Sequence, residues 1–268
     1  MIKKHIVLFD MDGTLTEPRE QFHKRLLEPL RELSCHAELG IVTGSDQDYL
    51  FEQMKTLIRF SELRYQTHLL PCNGTKHYMP PRLPDDVYKL VHKLDMQEHL
   101  GKDCFRQLMM ILCSNQEMMC YDDNIPLTGH FISYRDSMIN WCPIGRNANN
   151  LQRNKFIELD NSTNPTLRLK QIDKLKYKIN LRCKNNVTIK LGGETSFDIY
   201  PEGWDKTYAL KHFPDHIVWF VGDRCGQNGN DKEIYDLLNK EGRAFWTRNT
   251  KNTAGIIRGI TKAIKNYE

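Results

Sequence analysis

Apolar and polar positions alternate in short blocks through the first third of the chain. Ile6-Val7-Leu8-Phe9 is a continuous apolar run ending on Asp10, which predicts a buried strand over 6–10. Residues 20–33 read as a helix. Residues 39–43 form a second apolar strand, closed by Gly44-Ser45-Asp46, a turn with a helix cap. A helix over 46–58 follows, with Leu50, Met54, Leu57 and Ile58 on one face. The last quarter resumes the rhythm with a strand at 216–221, a helix at 231–239, a strand at 244–247 and a helix at 250–262. Such alternation predicts an α/β fold: a Rossmann-like parallel sheet with helices on both faces.

The middle breaks this pattern. Pro80, Pro81 and Pro84 interrupt the chain and mark a boundary. Residues 84–120 read as helical, with Val87, Leu90, Val91, Leu94, Leu100, Leu108, Met109, Ile111 and Leu112 mostly packing internally. Hairpin-like runs follow at 129–135, 138–142, 187–191 and 195–200. Helices with antiparallel strands predict an inserted α+β domain over 82–200, while 1–81 and 201–268 form the parallel-sheet core. Pro201-Glu202-Gly203 returns the chain to that core.

Acidic residues cluster where the predicted strands end. In extended backbone, positions i and i+2 share a face, so Asp10 and Asp12 converge, and Gly13 allows a sharp turn beside them. Asp223 follows another apolar strand, and Asn230-Asp231 opens the next helix. Ligands of such sheets bind at the carboxyl ends of the strands. Carboxylates meeting there repel unless a cation holds them, and hard oxygen donors without nearby His or Cys suit Mg²⁺. The predicted metal ligands are Asp10, Asp12, Asp223, Asn230 and Asp231. A carboxylate beside Mg²⁺ can act as a nucleophile and form an aspartyl-phosphate, the role assigned to Asp10. Asp12 then serves as general acid and base. Lys206 supplies a positive charge to the phosphoryl group or to Asp10. Thr43, Gly44 and Ser45 hold phosphoryl oxygens near a helix N-terminus, although Thr43 and Ser45 also read as a plain N-cap.

Composition narrows the field. The 268 residues are 40% hydrophobic and 27% charged, ordinary for a globular protein. Apolar runs such as Ile217-Val218-Trp219-Phe220-Val221 are too short to span a membrane. Met1-Ile2-Lys3-Lys4-His5 leads directly into a strand and lacks the apolar core of a signal peptide. Eight cysteines are scattered without a CxxC pair, which disfavours zinc and fits reduced thiols in a cytoplasmic setting. Net charge is +4, much of it from residues 168–190, where eight basic residues meet one acidic residue, Asp173. Leu167, Ile172, Leu175 and Ile179 recur there at near-helical spacing, so this stretch reads mainly as an amphipathic helix with a solvated basic face. No recognition motif for nucleic acid accompanies it.

Asp10-Met11-Asp12-Gly13-Thr14, Thr43 with Ser45, Lys206, and Gly222-Asp223 with Asn230-Asp231 resemble the four motifs of the haloacid dehalogenase superfamily. A closer likeness lies in two longer blocks. Tyr134-Arg135-Asp136-Ser137-Met138-Ile139-Asn140-Trp141-Cys142-Pro143-Ile144-Gly145-Arg146 resembles a signature of eukaryotic-type α-phosphomannomutases, and so does the run from Gly192-Gly193-Glu194 through Lys206-Thr207-Tyr208. Leu70-Pro71-Cys72-Asn73-Gly74 and Leu15-Thr16-Glu17-Pro18-Arg19 are similar to the same family.

The resemblance implies a haloacid-dehalogenase-type core and a cap that closes over a hexose phosphate. It implies interconversion of mannose 6-phosphate and mannose 1-phosphate, in service of GDP-mannose synthesis, with a hexose 1,6-bisphosphate as activator and intermediate. A sugar bisphosphate has two dianionic ends, and planar guanidinium forks suit the end not being transferred. By motif position Arg135, Arg146 and Arg153 form that grip, Ser196 and Asp198 contact the sugar or its phosphate, and Arg19 contacts substrate from the core. A homodimer through the cap is implied as well. The chain departs from the family pattern at Cys72, at Trp141-Cys142, at Asp136-Ser137 and at 225–228, changes that bear on cap contacts, sugar specificity and a second cation site. Two other functions compete. A phosphatase of the same superfamily shares every core motif and differs in admitting water. A non-catalytic sugar-phosphate-binding protein would need a broken catalytic set, whereas Asp10, Asp12, Lys206 and Asp223 are all in place.

Overall fold

The computed structural model describes residues 4–183 and 187–266. In chain order its strands are β1 (Lys4–Phe9), β2 (Glu38–Val42), β3 (Thr67–Leu70), β4 (Lys76–Met79), β5 (Lys89–Lys93), β6 (Ile132–Tyr134), β7 (Ile139–Trp141), β8 (Val187–Gly192), β9 (Ser196–Pro201), β10 (His216–Gly222) and β11 (Ala244–Trp246). The α-helices are α1 (Leu27–Ser34), α2 (Gln47–Gln53), α3 (Lys55–Phe60), α4 (Met96–Leu100), α5 (Lys102–Cys120), α6 (Asn150–Asn161), α7 (Leu167–Cys183), α8 (Lys232–Asn239) and α9 (Thr250–Lys265). No helix among the described residues is long and apolar enough to cross a membrane.

Two compact units result, one from residues up to 93 together with those from 204 onward, the other from 94–203. The sequence reading had set the passages at 81/82 and 200/201. Strand pairing explains the first difference: β5 is hydrogen-bonded to β4 and so belongs to the first unit.

The first unit holds a sheet in the order β11-β10-β1-β2-β3-β4-β5. Pairing is parallel from β11 to β3, and antiparallel from β3 through β5. Residues 6–9 are buried on both faces, as a central parallel strand demands. Val7 and Phe9 pack with Leu30, Leu33, Ile257 and Ile260 on one side, where α1 meets α9. Ile6 and Leu8 point the other way, into Ala209, Phe213, Ile234 and Leu238. Strand alternation thus divides one short apolar run between two helical layers.

The second unit holds an antiparallel sheet, β6-β7-β9-β8. Ile139 and Trp141 of β7, with Phe197 and Ile199 of β9, are fully buried. Trp141 stacks on Phe197 at 4.7 Å between ring centroids and donates from Nε1 to Gln116 Oε1 at 2.8 Å. The departure at Trp141 therefore fills the core of this unit. By the same alternation Asn140, Ser196 and Asp198 share the opposite face, with Asn140 facing Asp198 in register.

Several elements differ from the sequence reading. The helix expected over 20–33 is α1 preceded by a 3-10 turn at Lys24–Leu26. The helix expected over 46–58 breaks at Met54 into α2 and α3, because the Phe22 N–H takes the carbonyl of Gln53. Residues 84–120 do not begin as helix: β5 is an edge strand whose Leu90 and Val91 are exposed, as is Val87, and helix starts only at Met96. The basic stretch 168–190 is helical only to Cys183, and β8 follows from Val187, with 184–186 outside the described residues. Strands β3 and β4 were not anticipated.

A 3-10 turn at Cys72–Gly74 nests against the 3-10 helix Lys206–His212, and His212 Nε2 lies 2.8 Å from the Gly74 carbonyl. Cys72 and Asn73 both have positive φ, and the Asn73 amide donates to the Trp204 carbonyl at 3.2 Å. Gly74 has φ +84°, and a Cβ there would lie 2.7 Å from Ala209 Cβ and 2.8 Å from its Cα. Gly74→Ala is expected to destabilise the protein by about 2 kcal/mol, from left-handed strain plus overpacking, read as a lower midpoint in urea.

Candidate active site

The register of the parallel sheet brings three chain ends to one level. Phe9 pairs with Val221 on one side and with Ile41 on the other. The residues just beyond, Asp10, Thr43 and Asp223, therefore leave the sheet at one edge. The Asp10 N–H donates to Val221 O at 2.9 Å and holds the end of β1 against β10. The chain then turns tightly, with Leu15 and Thr16 N–H groups donating to Met11 O at 2.8 and 3.0 Å. Gly13 sits in this turn at φ +83°, and a Cβ there would meet Asp223 Oδ2 at 2.3 Å. Glycine is required for conformation and for space.

Lys206 opens its 3-10 helix, capped by Asp205, whose carboxylate accepts from Thr207 N–H at 2.8 Å. Its ammonium is buried and donates to Asp10 and Asp231. Asp231 is also held by the Arg224 N–H, which donates to Oδ2 at 3.0 Å. Asp10, Asp223 and Asp231 each offer a carboxylate oxygen within 4.8 Å of the others.

Electrostatics follow from this crowding. Burial and the Asp231 carboxylate push Asp10 well above the usual carboxylate range, against the pull of Lys206. Burial and Asp231 push Asp223 up to about 6. Burial alone would lower Lys206, but Asp10 and Asp231 outweigh it, so the ammonium persists. Three carboxylates face one buried ammonium and the Arg224 guanidinium, whose Nε lies 4.0 Å from Asp223 Oδ2, which leaves surplus negative charge. Asp223 Oδ1 and Asn230 Oδ1 are moreover buried with no hydrogen-bond partner. Buried oxygen acceptors without donors, in an all-oxygen set, fit a hard divalent cation.

Asp12, expected from the sequence as a further metal ligand, is not among the carboxylates that lie within 4.8 Å of one another. Its carboxylate Oδ1 accepts from the Tyr49 hydroxyl at 3.1 Å, and burial raises it above its ordinary range. The Tyr49 oxygen in turn accepts from the Arg19 N–H at 3.2 Å, and Arg19 has φ +66°. Burial and then Asp12 push the Tyr49 phenol upward, so it remains a donor. Thr43 is buried, and its Oγ1 accepts from Ser45 N–H at 3.1 Å. The cap of α2 is Asp46, whose side chain accepts from Tyr49 N–H at 2.9 Å, so Thr43 and Ser45 are spared that task.

The second unit has its own polar cluster. Asn140 is its hub: its amide donates to Ser196 Oγ at 2.9 Å and Asp198 Oδ1 at 2.8 Å, and its carbonyl accepts from Arg146 Nη1 at 2.8 Å. Arg135 is buried, and its N–H donates to Met138 O at 2.8 Å across a turn where Asp136 has φ +64°. That conformation favours Asn or Asp over other side-chain-bearing residues, so Asp136 suits the position. Arg153 is engaged locally, donating to Thr195 Oγ1 at 3.0 Å and Glu194 Oε2 at 3.1 Å.

The structure thus gathers Asp10, Asp223, Asp231 and Lys206 in one unit, with Asn230 Oδ1 also buried there, and Arg146, Ser196 and Asp198 in the other. Sequence reasoning missed Tyr49 and Asn140. A tyrosine in the first turn of a helix carries no motif. Asn140 lies inside the signature run 134–146, and its place between the apolar Ile139 and Trp141 of one strand was the available signal.

The family described as eukaryotic phosphomannomutase matches residues 26–261, a span that begins after Asp10 and Asp12. A phosphomannomutase of Arabidopsis thaliana is 33% identical over 234 residues, covering 86% of this chain and 87% of the relative. One from Drosophila melanogaster is 33% identical over 245 residues, covering 86% of this chain and 85% of its own length. Among solved structures, the IMP-bound, N-terminally truncated IMP-nucleotidase of Plasmodium falciparum superposes with TM-score 0.65 at 14% identity, over 97% of this chain and 68% of that one. Trehalose-6-phosphate phosphatase of Aspergillus fumigatus gives TM-score 0.52 at 16% identity, over 97% and 93%. These distant likenesses show the fold alone, a mixed α/β architecture with a parallel sheet. On the family match and on relatives above 30% identity across most of both chains, this chain belongs to the eukaryotic phosphomannomutase family.

Proposed function

We propose that the protein interconverts mannose 6-phosphate and mannose 1-phosphate by way of a phosphorylated Asp10 and a hexose 1,6-bisphosphate. The observation that carries this reading is the buried contact of Lys206 with Asp10 and Asp231, within a carboxylate trio whose Asp223 Oδ1 has no hydrogen-bond partner. Asp10 Oδ attacks phosphorus, and the P–O bond to the sugar breaks. Asp12 gives the leaving oxygen its proton and takes it back from the acceptor hydroxyl on return. Lys206 orients Asp10 and pulls it toward the ionised form, against burial and Asp231. Thr43, Gly44 and Ser45 hold phosphoryl oxygens. Asp10, Asp223, Asn230 and Asp231 would hold Mg²⁺, which supplies charge neutralisation at the transferring phosphoryl group.

Arg135 and Arg146 grip the phosphate end that is not being transferred, Ser196 and Asp198 bind the sugar side, and Arg19 meets the substrate from the first unit. Arg153, already paired with Glu194, supports this set more weakly. In this reading 94–203 is the cap and the rest the catalytic core. A cytoplasmic homodimer, joined through the cap and serving GDP-mannose synthesis, completes the proposal on family resemblance. The phosphatase reading shares the carboxylate site. The Asn140-held Arg146 favours the mutase, since hydrolysis of a monophosphate has no second dianion to bind.

With mannose 1-phosphate and a hexose bisphosphate primer, phosphorus NMR should show mannose 6-phosphate accumulating ahead of inorganic phosphate. The reverse order would assign a phosphatase. Asp10→Asn should abolish turnover, and retained turnover would remove Asp10 from the nucleophile role. Arg146→Ala should raise KM for mannose 1-phosphate about tenfold or more with kcat little changed, the loss of one charge-assisted contact.

The cation makes a pH-dependent prediction. Without it, the raised Asp223 favours its protonated form, so the stability this group contributes is present at low pH and lost as pH rises through about 6. Mg²⁺ relieves that loss. It should therefore raise the melting temperature more at about pH 7.5 than at about pH 5, measured by calorimetry.

A further inference from the structure

We propose that Tyr49 is a positioning residue for the phosphoryl transfer: its hydroxyl holds the Asp12 carboxylate apart from the cation-binding carboxylates and couples it to the backbone that carries Arg19. The inference rests on the reading of Asp10 and Asp12 above. Three observations carry it. First, Asp12 is absent from the carboxylate trio, and Tyr49 Oη is bonded to its Oδ1 at 3.1 Å. Second, the same oxygen accepts from Arg19 N–H at 3.2 Å, where the backbone is left-handed at φ +66°. A non-glycine residue held in that region needs its surroundings to keep it there. Third, Tyr49 is itself fastened, with its N–H on the Asp46 cap at 2.9 Å and its ring packed against the core beside α2.

One hydroxyl thus joins the proton-transferring group to the loop of a substrate-facing arginine. The work expected of Asp12 is delivery of a proton to a poor leaving group and its recovery from a sugar hydroxyl. A carboxylate free to swing would join Asp10, Asp223 and Asp231 around the cation and lose that role. The phenol holds it to one direction, and catalysis is sensitive to displacements of about 1 Å.

The test exploits leaving groups. Transfer from a sugar phosphate to Asp10 needs a proton on the departing oxygen, whereas p-nitrophenyl phosphate releases a stable phenolate without one. Tyr49→Phe keeps the ring and removes only the hydroxyl. Its folding is checked by thermal melt, and Asp12→Asn and Asp10→Asn are measured alongside. For Tyr49→Phe, kcat on mannose 1-phosphate should fall at least about tenfold with KM changed less than about threefold, while the p-nitrophenolate burst stays within about twofold of the parent. Asp12→Asn should show the same selectivity, and more strongly. Equal losses on both donors would make Tyr49 a general support of the site and overturn the proposal, as would no loss on either, or a change in KM alone. If Asp10→Asn retains turnover, the proposed function fails, whatever Tyr49→Phe does. If Asp10→Asn is dead and Asp12→Asn lacks the selectivity, the positioning role fails while the nucleophile stands.

Discussion

Excess negative charge in a confined place is the constraint on which this structure turns. Asp10, Asp223 and Asp231 are brought within reach of one another at the end of a parallel sheet, with a single buried ammonium between two of them. Burying a carboxylate is costly unless it is paired, and Lys206 with the partly exposed Arg224 does not match three. The polypeptide itself leaves the cluster short of positive charge. A divalent cation would complete what the chain does not. Gly13 and Gly222 show how tightly the cluster is drawn: a Cβ on either would lie 2.5 Å or less from a carboxylate oxygen of Asp223 or Asp231.

The fold makes this crowding sustainable. Strands β10, β1 and β2 are in register, so three loops emerge together. The helical layers that bury Val7 and Phe9 on one side and Ile6 and Leu8 on the other keep water from the sheet. Lys206 reaches the cluster from a 3-10 helix held by Gly74, which closes the gap to Ala209. The lysine's position depends on a turn more than 130 residues earlier in the chain, visible in the Asn73 to Trp204 hydrogen bond. A glycine far from the chemistry in sequence is thereby part of how the site is built.

Legibility in the sequence followed the physics of each element. The strand bearing Asp10 was readable because a central parallel strand is apolar on both faces and must end in polar residues. Its partner before Asp223 was readable for the same reason. β5 was not: as an edge strand with exposed Leu90 and Val91, its apolar content imitates a helix that packs internally. The split at Met54 could not be read because a distant backbone group, Phe22 N–H, competes for the Gln53 carbonyl. Among the charged candidates, Lys206 carries a motif and Arg146 and Asp198 lie in the signature runs, whereas Arg153 lies outside them and bonds Thr195 and Glu194, contacts set by the loop between β8 and β9.

The two polar centres differ in a way that matters for chemistry. In the first unit the decisive atoms lack hydrogen-bond partners, as Asp223 Oδ1 and Asn230 Oδ1 do, which leaves them available to a cation. In the second unit Asn140 binds Ser196, Asp198 and Arg146 at once, so that the arginine is held before any ligand arrives. A guanidinium already oriented loses less freedom on binding an anion than a mobile one, and its affinity gains accordingly. One centre is thus built to hold a guanidinium in place, and the other keeps buried oxygens that the chain does not satisfy.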